Sequence, residues 1–188
     1  MHNRIEDKKT LNSKLIIPAN ILIQELNNTY TLTGPKGIIT HNLHPQLQIK
    51  ITDKVIIIET IKSKSDRTTK KLALLNTTVA LFKNYINGLL YLFEKTIIIK
   101  GIGYKAEYTN SLLKLFLGYS HPIIYQIPSD ITIELLTQTL ICIKGVSKHK
   151  VGQTAHEIKM KKPADIYKGN GIKYKDEILK LKSPKKTK

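Results

Sequence analysis

The sequence predicts an α+β protein built from two similar small domains. Three observations carry that expectation. Short β-branched runs alternating with polar residues recur along the chain, and two stretches read as helices. One pattern also occurs twice. An alternating strand, a short turn, a β-branched strand, a polar or basic loop and a helix fill Leu47–Gly88 and again Ile131–Met160. Finally, Leu47, Ile49, Ile51, Val55 and Ile57 correspond to Ile131, Ile133, Leu135, Thr139 and Ile141 at a constant offset of 84. A repeat of that length signifies two copies of one supersecondary unit and not a solenoid. Each copy is expected to lay a helix on one face of a mostly antiparallel sheet.

In chain order, residues 1–14 read as a polar arm. Ile21–Glu25 and Thr29–Thr33 are strand candidates around Asn27-Asn28, a pair that tolerates positive φ. Gly34-Pro35-Lys36-Gly37 is a turn, and Ile38–Asn42 a further strand. Leu47, Ile49 and Ile51 alternate with polar residues, Thr52-Asp53-Lys54 turns the chain, and Val55–Thr60 returns it. Leu72, Leu75, Val79, Phe82 and Ile86 then form one apolar helical stripe, with Asp66 as the expected cap and Gly88 as the expected end. The domain boundary is expected near residues 90–95, giving repeats over 15–92 and 93–162.

The second copy opens on the β-branched run Thr96–Lys100. Tyr104–Thr109 and Leu112–Leu117 flank the hairpin turn Asn110-Ser111. Ile123–Ile127, Ile131–Leu135 and Leu140–Lys144 continue the strand pattern. The basic loop Ser147–Lys150 leads to a helix from Val151 to about Met160, which Pro163 ends. Residues 163–188 form a basic extension, and Ser183–Lys188 is expected to be disordered until it meets RNA.

Composition narrows the partner. The 188 residues carry 31 basic and 14 acidic side chains, a net charge of +17. A charge of that size points to a polyanion. It is also uneven: from Lys144 to the end there are fourteen lysines against four carboxylates. Arg4 and Arg67 are the only arginines, so phosphate and shape recognition is favoured over bidentate base reading. The abundance of Ile, Lys and Asn also suits an AT-rich gene. Cys142, alone in an apolar run, excludes a disulfide framework or a cysteine zinc site within the chain and suggests a reducing compartment. The first residues carry Glu6 and Asp7 and resemble neither a secretory signal nor an Arg-rich transit peptide. No apolar run reaches the roughly 20 residues of a membrane span.

The basic half converges on Lys161–Tyr174, a stretch with neither a period of 2 nor one of 3.6, which is therefore expected to be irregular. Lys161, Lys162, Lys168 and Lys173 are placed to meet phosphates. Tyr167 and Tyr174 are placed to pack on sugars or bases, and Gly169 and Gly171 to let the backbone approach a partner, with Asn170 between them. Lys148 and Lys150, before the second helix, are secondary candidates. A solvated basic loop is the plain alternative.

Motifs of other chemistries fail. Gly101-Ile102-Gly103-Tyr104-Lys105-Ala106 fits a dinucleotide fingerprint, but a strand pattern follows where a helix is required. Gly118-Tyr119-Ser120-His121-Pro122 has proline where a nucleophile elbow needs glycine. His41 and His44 lack a third metal ligand nearby, and the carboxylates form no acid–base pair. No catalytic residue, metal, cofactor or small-molecule substrate is expected. A basic module on other RNA or on an anionic membrane surface is the rival reading, but the richest basic segment is irregular where membrane binding needs an amphipathic helix.

Gly101–Ala106, Leu117–Pro122 and Tyr167–Glu177, together with Ile17-Pro18-Ala19, Gly34–Gly37 and Asn76-Thr77-Thr78, stand in an order and spacing that resembles the bacterial-type large-subunit ribosomal protein six family. The resemblance runs from about Ser13 to Lys182. Asn170 and Lys173 stand where that family carries lysine and arginine, and Val79 where it usually carries arginine. The resemblance implies two similar α+β domains and a non-enzymatic structural protein. It implies binding to large-subunit rRNA near the sarcin–ricin loop and the base of the factor-binding stalk, beside neighbouring ribosomal proteins, with translational GTPases transiently close. Composition and the family-like start together suggest the mitochondrial ribosome, with a plastid or the bacterial cytoplasm as alternatives.

Overall fold

The computed structural model describes residues 12–52, 55–61 and 68–183. The chain divides into two compact units, Met1–Tyr91 and Leu92–Lys188. It is α+β, as the sequence predicts, with mostly antiparallel sheets.

The first unit contains β1 (Asn12–Ile16), β2 (Leu22–Leu26), β3 (Thr29–Gly34), β4 (Gly37–Asn42), β5 (Leu47–Thr52), β6 (Val55–Thr60) and α1 (Thr68–Leu90). Its two sheets have strand orders β1-β6-β5 and β2-β3-β4. Asn12–Lys14, read from sequence as the end of a polar arm, are the first residues of β1. The β2–β3 turn forms because Asn27 and Asn28 accept φ of 47° and 64°, the positive pair a two-residue hairpin requires. Tyr30, Leu32, Ile56, Ile58, Phe82 and Leu89 are essentially inaccessible and form its core.

The second unit repeats the plan. It contains β7 (Phe93–Lys100), β8 (Lys105–Thr109), β9 (Leu112–Phe116), β10 (Ile123–Gln126), β11 (Ile131–Thr137), β12 (Leu140–Gly145), α2 (Lys148–Lys161) and β13 (Gly171–Tyr174). Asn110 and Ser111 build the matching hairpin turn with φ of 49° and 62°. The sheets are β10-β9-β8 and β11-β12-β7-β13. Ile97, Leu113, Leu115, Ile141, Ile143, Ala155, Ile158 and Ile172 lie in one continuous core.

The structure corrects several sequence expectations. Lys161–Tyr174 is not irregular throughout, since its last four residues are β13, paired antiparallel with β7 from Gly171↔Lys100 to Tyr174↔Ile97. The offset of 84 holds for β5 and β11 but not for the following strand. Leu135 and Thr137 flank a bulge, and the extra residue, Leu136, is exposed. The buried pair Ile56 and Ile58 therefore matches Ile141 and Ile143, at an offset of 85. Helix α1 does not stop at Gly88 but runs to Leu90. Glycine inside a helix costs about 1 kcal/mol, less than the roughly 1.5–3 kcal/mol from burying Leu89 completely. Leu72, by contrast, is 43% exposed and lies at the margin of the stripe. Lys148–Lys150 form the first turn of α2, capped by the Ser147 hydroxyl, which accepts from the Lys150 N–H. The expected cap Asp66, the turn residues Asp53-Lys54, residues 1–11 of the arm and the last five residues of the tail lie outside the described residues.

Candidate nucleic-acid interface

The basic surface of the second unit starts where α2 ends. Lys161 closes the helix and Lys162 caps it, donating its backbone N–H to the Lys159 carbonyl at 3.3 Å. Both side chains lie over tyrosines. The Lys162 ammonium is 4.2 Å from the centre of the Tyr119 ring and 5.8 Å from that of Tyr104. The Lys161 ammonium is 6.0 Å from the Tyr125 ring centre. The Tyr119 hydroxyl donates to the Lys161 carbonyl at 3.4 Å. Cations over aromatic faces gain roughly 0.5–1 kcal/mol at exposed sites and remain available to a second, anionic partner.

One glycine from each of the two failed motifs explains how Tyr104 is held. A Cβ on Gly101 would lie 2.4 Å from the Tyr104 ring, and one on Gly118 would lie 3.0 Å from it. The ring thus sits between two bare Cα atoms. Tyr125 is fixed by its hydroxyl, which donates to the Glu157 carboxylate at 2.6 Å, and burial with that neighbouring charge pushes its pKa up to about 12. Glu157 also accepts from the Gln153 amide at 2.9 Å, and these two donors hold its carboxyl below the ordinary range. The sequence reading missed all three tyrosines. The signal that points to Tyr104 and Tyr119 is their position beside glycines that have no helix to open.

After Lys162 the chain makes a closed loop. Asp165 organises it: its side chain accepts from the N–H groups of Tyr167 and Lys168 at 3.2 and 3.1 Å. Those two backbone donors hold the Asp165 carboxyl below its usual range. The Asp165 N–H donates to the Asn170 carbonyl, and the Gly169 N–H to the Asp165 carbonyl, both at 2.8 Å. Tyr167 and Lys168 are presented on the exposed outer side of the loop, with Tyr167 58% accessible.

The expectation that Gly169 and Gly171 open the backbone to a partner needs correction. Both are buried. Gly171, at φ 132°, faces its own chain: a Cβ there would lie 2.6 Å from the Pro163 carbonyl oxygen and from the Ala164 Cα. The bare Cα lets β13 pass beneath the loop, so the Ile172 N–H reaches the Lys162 carbonyl at 2.8 Å. Asn170 contributes through its backbone.

Tyr174 is also engaged internally. Its ring lies 4.7 Å from the Lys159 ammonium and 5.1 Å from that of Lys95. Lys159 in turn pairs with Glu177 at 2.7 Å, and Lys95 with Asp176 at 3.1 Å. Glu177 also accepts the Tyr174 N–H at 3.1 Å, and the Lys159 ammonium is the main reason its carboxyl lies low. Lys150 is paired with Asp130. Among the described residues, Lys148, Lys161, Lys162, Lys168 and Lys173 form no ion pair within 4 Å, although Lys161, Lys168 and Lys173 lie close enough to Glu157, Asp165 and Glu177 to lower those carboxyls.

No group of three or more metal-ligating side chains occurs among the described residues, and no helix there is long and apolar enough to cross a membrane. Cys142 is buried, with its thiol 3.4 Å from the Glu94 carboxylate, and burial pushes its pKa up.

Known proteins are similar to this sequence. The family described as Ribosomal protein L6 matches residues 100–175, the span from the end of β7 to the end of β13. The large ribosomal subunit protein uL6 of Marinomonas sp. (strain MWYL1) is 34% identical over 95% of the chain and 98% of its own length. Its counterpart in Halorhodospira halophila is 35% identical over 90% of the chain and 94% of its own length. That of Caldicellulosiruptor bescii is 38% identical over 90% and 91%. With identity of this level over nearly the full length of both partners, the chain belongs to the ribosomal protein L6 family, non-enzymatic structural proteins of the large ribosomal subunit.

Proposed function

We propose that the second unit anchors this protein to large-subunit rRNA, near the sarcin–ricin loop and the base of the factor-binding stalk, and so supports translation. The observation that carries the reading is the surface at the end of α2. There Lys161 and Lys162 stand over Tyr104, Tyr119 and Tyr125, and the loop that follows presents Tyr167 and Lys168. Lys161, Lys162, Lys168 and Lys173 meet phosphates, and the exposed tyrosines Tyr119 and Tyr167 pack on sugars or unstacked bases. Lys148 is a secondary phosphate contact. Lys150 contributes after releasing Asp130. Asp165, Gly169, Asn170, Gly171 and Tyr174 hold the loop in shape. Neighbouring ribosomal proteins and, transiently, translational GTPases complete the surroundings.

The Ile-, Lys- and Asn-rich composition suits an AT-rich genome, and we place the protein in a mitochondrial ribosome, with plastid or bacterial cytoplasm as the alternatives that cell fractionation separates.

A filter-binding salt series tests the contact set. Changing Lys161, Lys162 and Lys168 together to alanine removes three cations, and the log–log salt slope is expected to flatten by roughly 2. Lys105→Ala, which removes a lysine already paired with Glu107, should leave the slope in place. An unchanged slope in the triple variant overturns the assignment. Chemical footprinting of the rRNA in assembled subunits checks the location.

A further inference from the structure

Equivalent turns of the two units are built from different residues. An offset of 83 aligns Asn27-Asn28 with Asn110-Ser111, and the buried Tyr30 and Leu32 with Leu113 and Leu115. It also aligns Ile21 with Tyr104. Ile21 donates its N–H to the Pro18 carbonyl at 3.1 Å, and Tyr104 donates its own to the Gly101 carbonyl at 3.3 Å. Pro18 therefore stands where the second unit has Gly101, and Pro35 where it has Gly118. The fold accepts a Cβ at both glycine positions and a buried aliphatic residue at the tyrosine.

Something other than the turn therefore requires glycine, tyrosine and glycine in the second unit. Gly101 does not have a positive φ, so its backbone has no need of glycine. What a Cβ would meet there is the Tyr104 ring, and the same ring lies against Gly118. That ring leads to Lys162. The Lys162 backbone is pinned on both sides, its N–H by the Lys159 carbonyl at 3.3 Å and its carbonyl by the Ile172 N–H at 2.8 Å. Its side chain is left to the rings of Tyr119 and Tyr104, at 4.2 and 5.8 Å from their centres. Tyr119 supplies the nearer ring, and it follows directly on Gly118. Lys161, Lys168 and Lys173 each lie near a carboxylate, whereas Lys162 lies near rings. The first unit has no counterpart to this lysine. The alignment that pairs Phe82 with Ile158 puts Ile86, still inside α1, at the place of Lys162.

We propose that Tyr104 is a positioning residue for rRNA binding: wedged between Gly101 and Gly118, its ring fixes the Tyr119 corner and with it the Lys162 ammonium, so that a phosphate meets a cation already in place. The inference rests on the reading of Lys162 as a phosphate contact. A lysine stem ordered beforehand loses less rotamer freedom on binding, while the number of ions exchanged stays the same. Tyr104 therefore sets affinity without setting the salt slope. Tyr119 is exposed and proposed to touch RNA itself, so the half-buried Tyr104 is the informative position.

The test is a double-variant cycle on the full chain, read by filter binding to naked large-subunit rRNA over a salt series. Tyr104→Ile installs the residue of the twin turn. It is expected to weaken binding about fivefold at every salt concentration and to leave the log–log slope unchanged. Lys162→Ala is expected to weaken binding and flatten the slope by roughly 0.7–0.9. In the Lys162→Ala background, Tyr104→Ile is expected to cost less than about twofold. Tyr104→Phe keeps the ring and is expected to bind as the parent does. An equal cost of Tyr104→Ile with and without Lys162, no cost at all, or an equal loss in Tyr104→Phe overturns the proposal. Should urea melts show Tyr104→Ile unfolded, Gly101→Ala carries the same cycle, because its Cβ displaces the ring and leaves the tyrosine in the chain. Parent binding that ignores salt, or Lys162→Ala binding as tightly as the parent, removes the phosphate reading of Lys162 and this inference with it.

Discussion

The two units repeat one pattern of core positions and differ at its borders. Leu75, Thr78, Val79 and Phe82 of α1 are buried at the same spacing as Val151, Thr154, Ala155 and Ile158 of α2, an offset of 76. Even the buried threonine is repeated. Thr78 spends its hydroxyl on the Leu74 carbonyl at 3.0 Å, and the Thr154 side chain hydrogen-bonds toward Tyr125. What differs follows the helix. After α1 the chain leaves for the second unit. After α2 it turns through a closed loop, and β13 covers the outer edge of β7. The matching strand of the first unit, β1, pairs only with β6 among the described residues. A duplicated fold thus keeps its packing positions and diverges at loops, edges and outward faces, where a change costs little stability.

Emptying the two equivalent helix positions gives the largest effects. Phe82→Ala is expected to cost about 3–5 kcal/mol and Ile158→Ala about 2–5 kcal/mol in urea unfolding. Hydrogen exchange should rise in the first unit for the former and in the second for the latter. A uniform rise over both units in either variant would break the picture of two separate cores. Next comes Gly171→Val, which places a side chain where a Cβ already lies 2.6 Å from the Pro163 backbone, at a φ that L residues avoid. We expect a loss of about 2–4 kcal/mol together with weakened rRNA binding. Gly152→Ala sets the opposite sign. Gly152 is an exposed α2 residue whose Cβ would meet nothing, so alanine should stabilise by about 0.5–1 kcal/mol in the same assay.

The smallest effect separates the units by pH. His41 of β4 lies 5.7 Å from the Phe82 ring centre, edge-on, with its Nδ1 3.2 Å from the Tyr85 hydroxyl. Burial lowers its pKa below the ordinary 6.5. The unfolded chain therefore takes up the proton first, and the first unit should lose stability as pH falls below about 6.5, levelling off beneath the folded pKa. Above 6.5 both states are neutral and His41 adds no slope. Thermal melts of His41→Gln against the parent between pH 7.5 and 5 check this, and a parallel fall in both proteins would remove His41 as the cause.

The fold was largely legible because its signals are local. Asn27-Asn28 and Asn110-Ser111 announce their hairpins, and Ile56, Ile58, Ile141 and Ile143 announce buried strands. The phase of β12 was misread because the bulge shows only as the Leu135-Leu136 doublet, a single break in the alternation of β11. Nor was β13: only Ile172 of its four residues is an aliphatic core side chain, and its partner β7 lies far back in the sequence. The basic character of Lys161–Lys173 was plain, whereas the division of labour within it was not. Sequence does not show that Lys159 and Lys95 are occupied by Glu177 and Asp176 while Lys161 and Lys162 are left over tyrosines. Those facts belong to tertiary contacts.

The pairing of β13 with β7 has a consequence for the order of events during synthesis. β7 is made early in the second unit, but its outer edge stays open until Gly171–Tyr174 emerges. The same event seats Gly171 under Pro163 and Ala164 and draws the Ile172 N–H to Lys162. The basic surface proposed to bind rRNA is therefore finished by the strand that finishes the sheet. A chain interrupted before Gly171 carries most of its lysines but has an unsealed sheet and an unclosed loop, so the sheet edge and the shape of the basic loop depend on the same four residues.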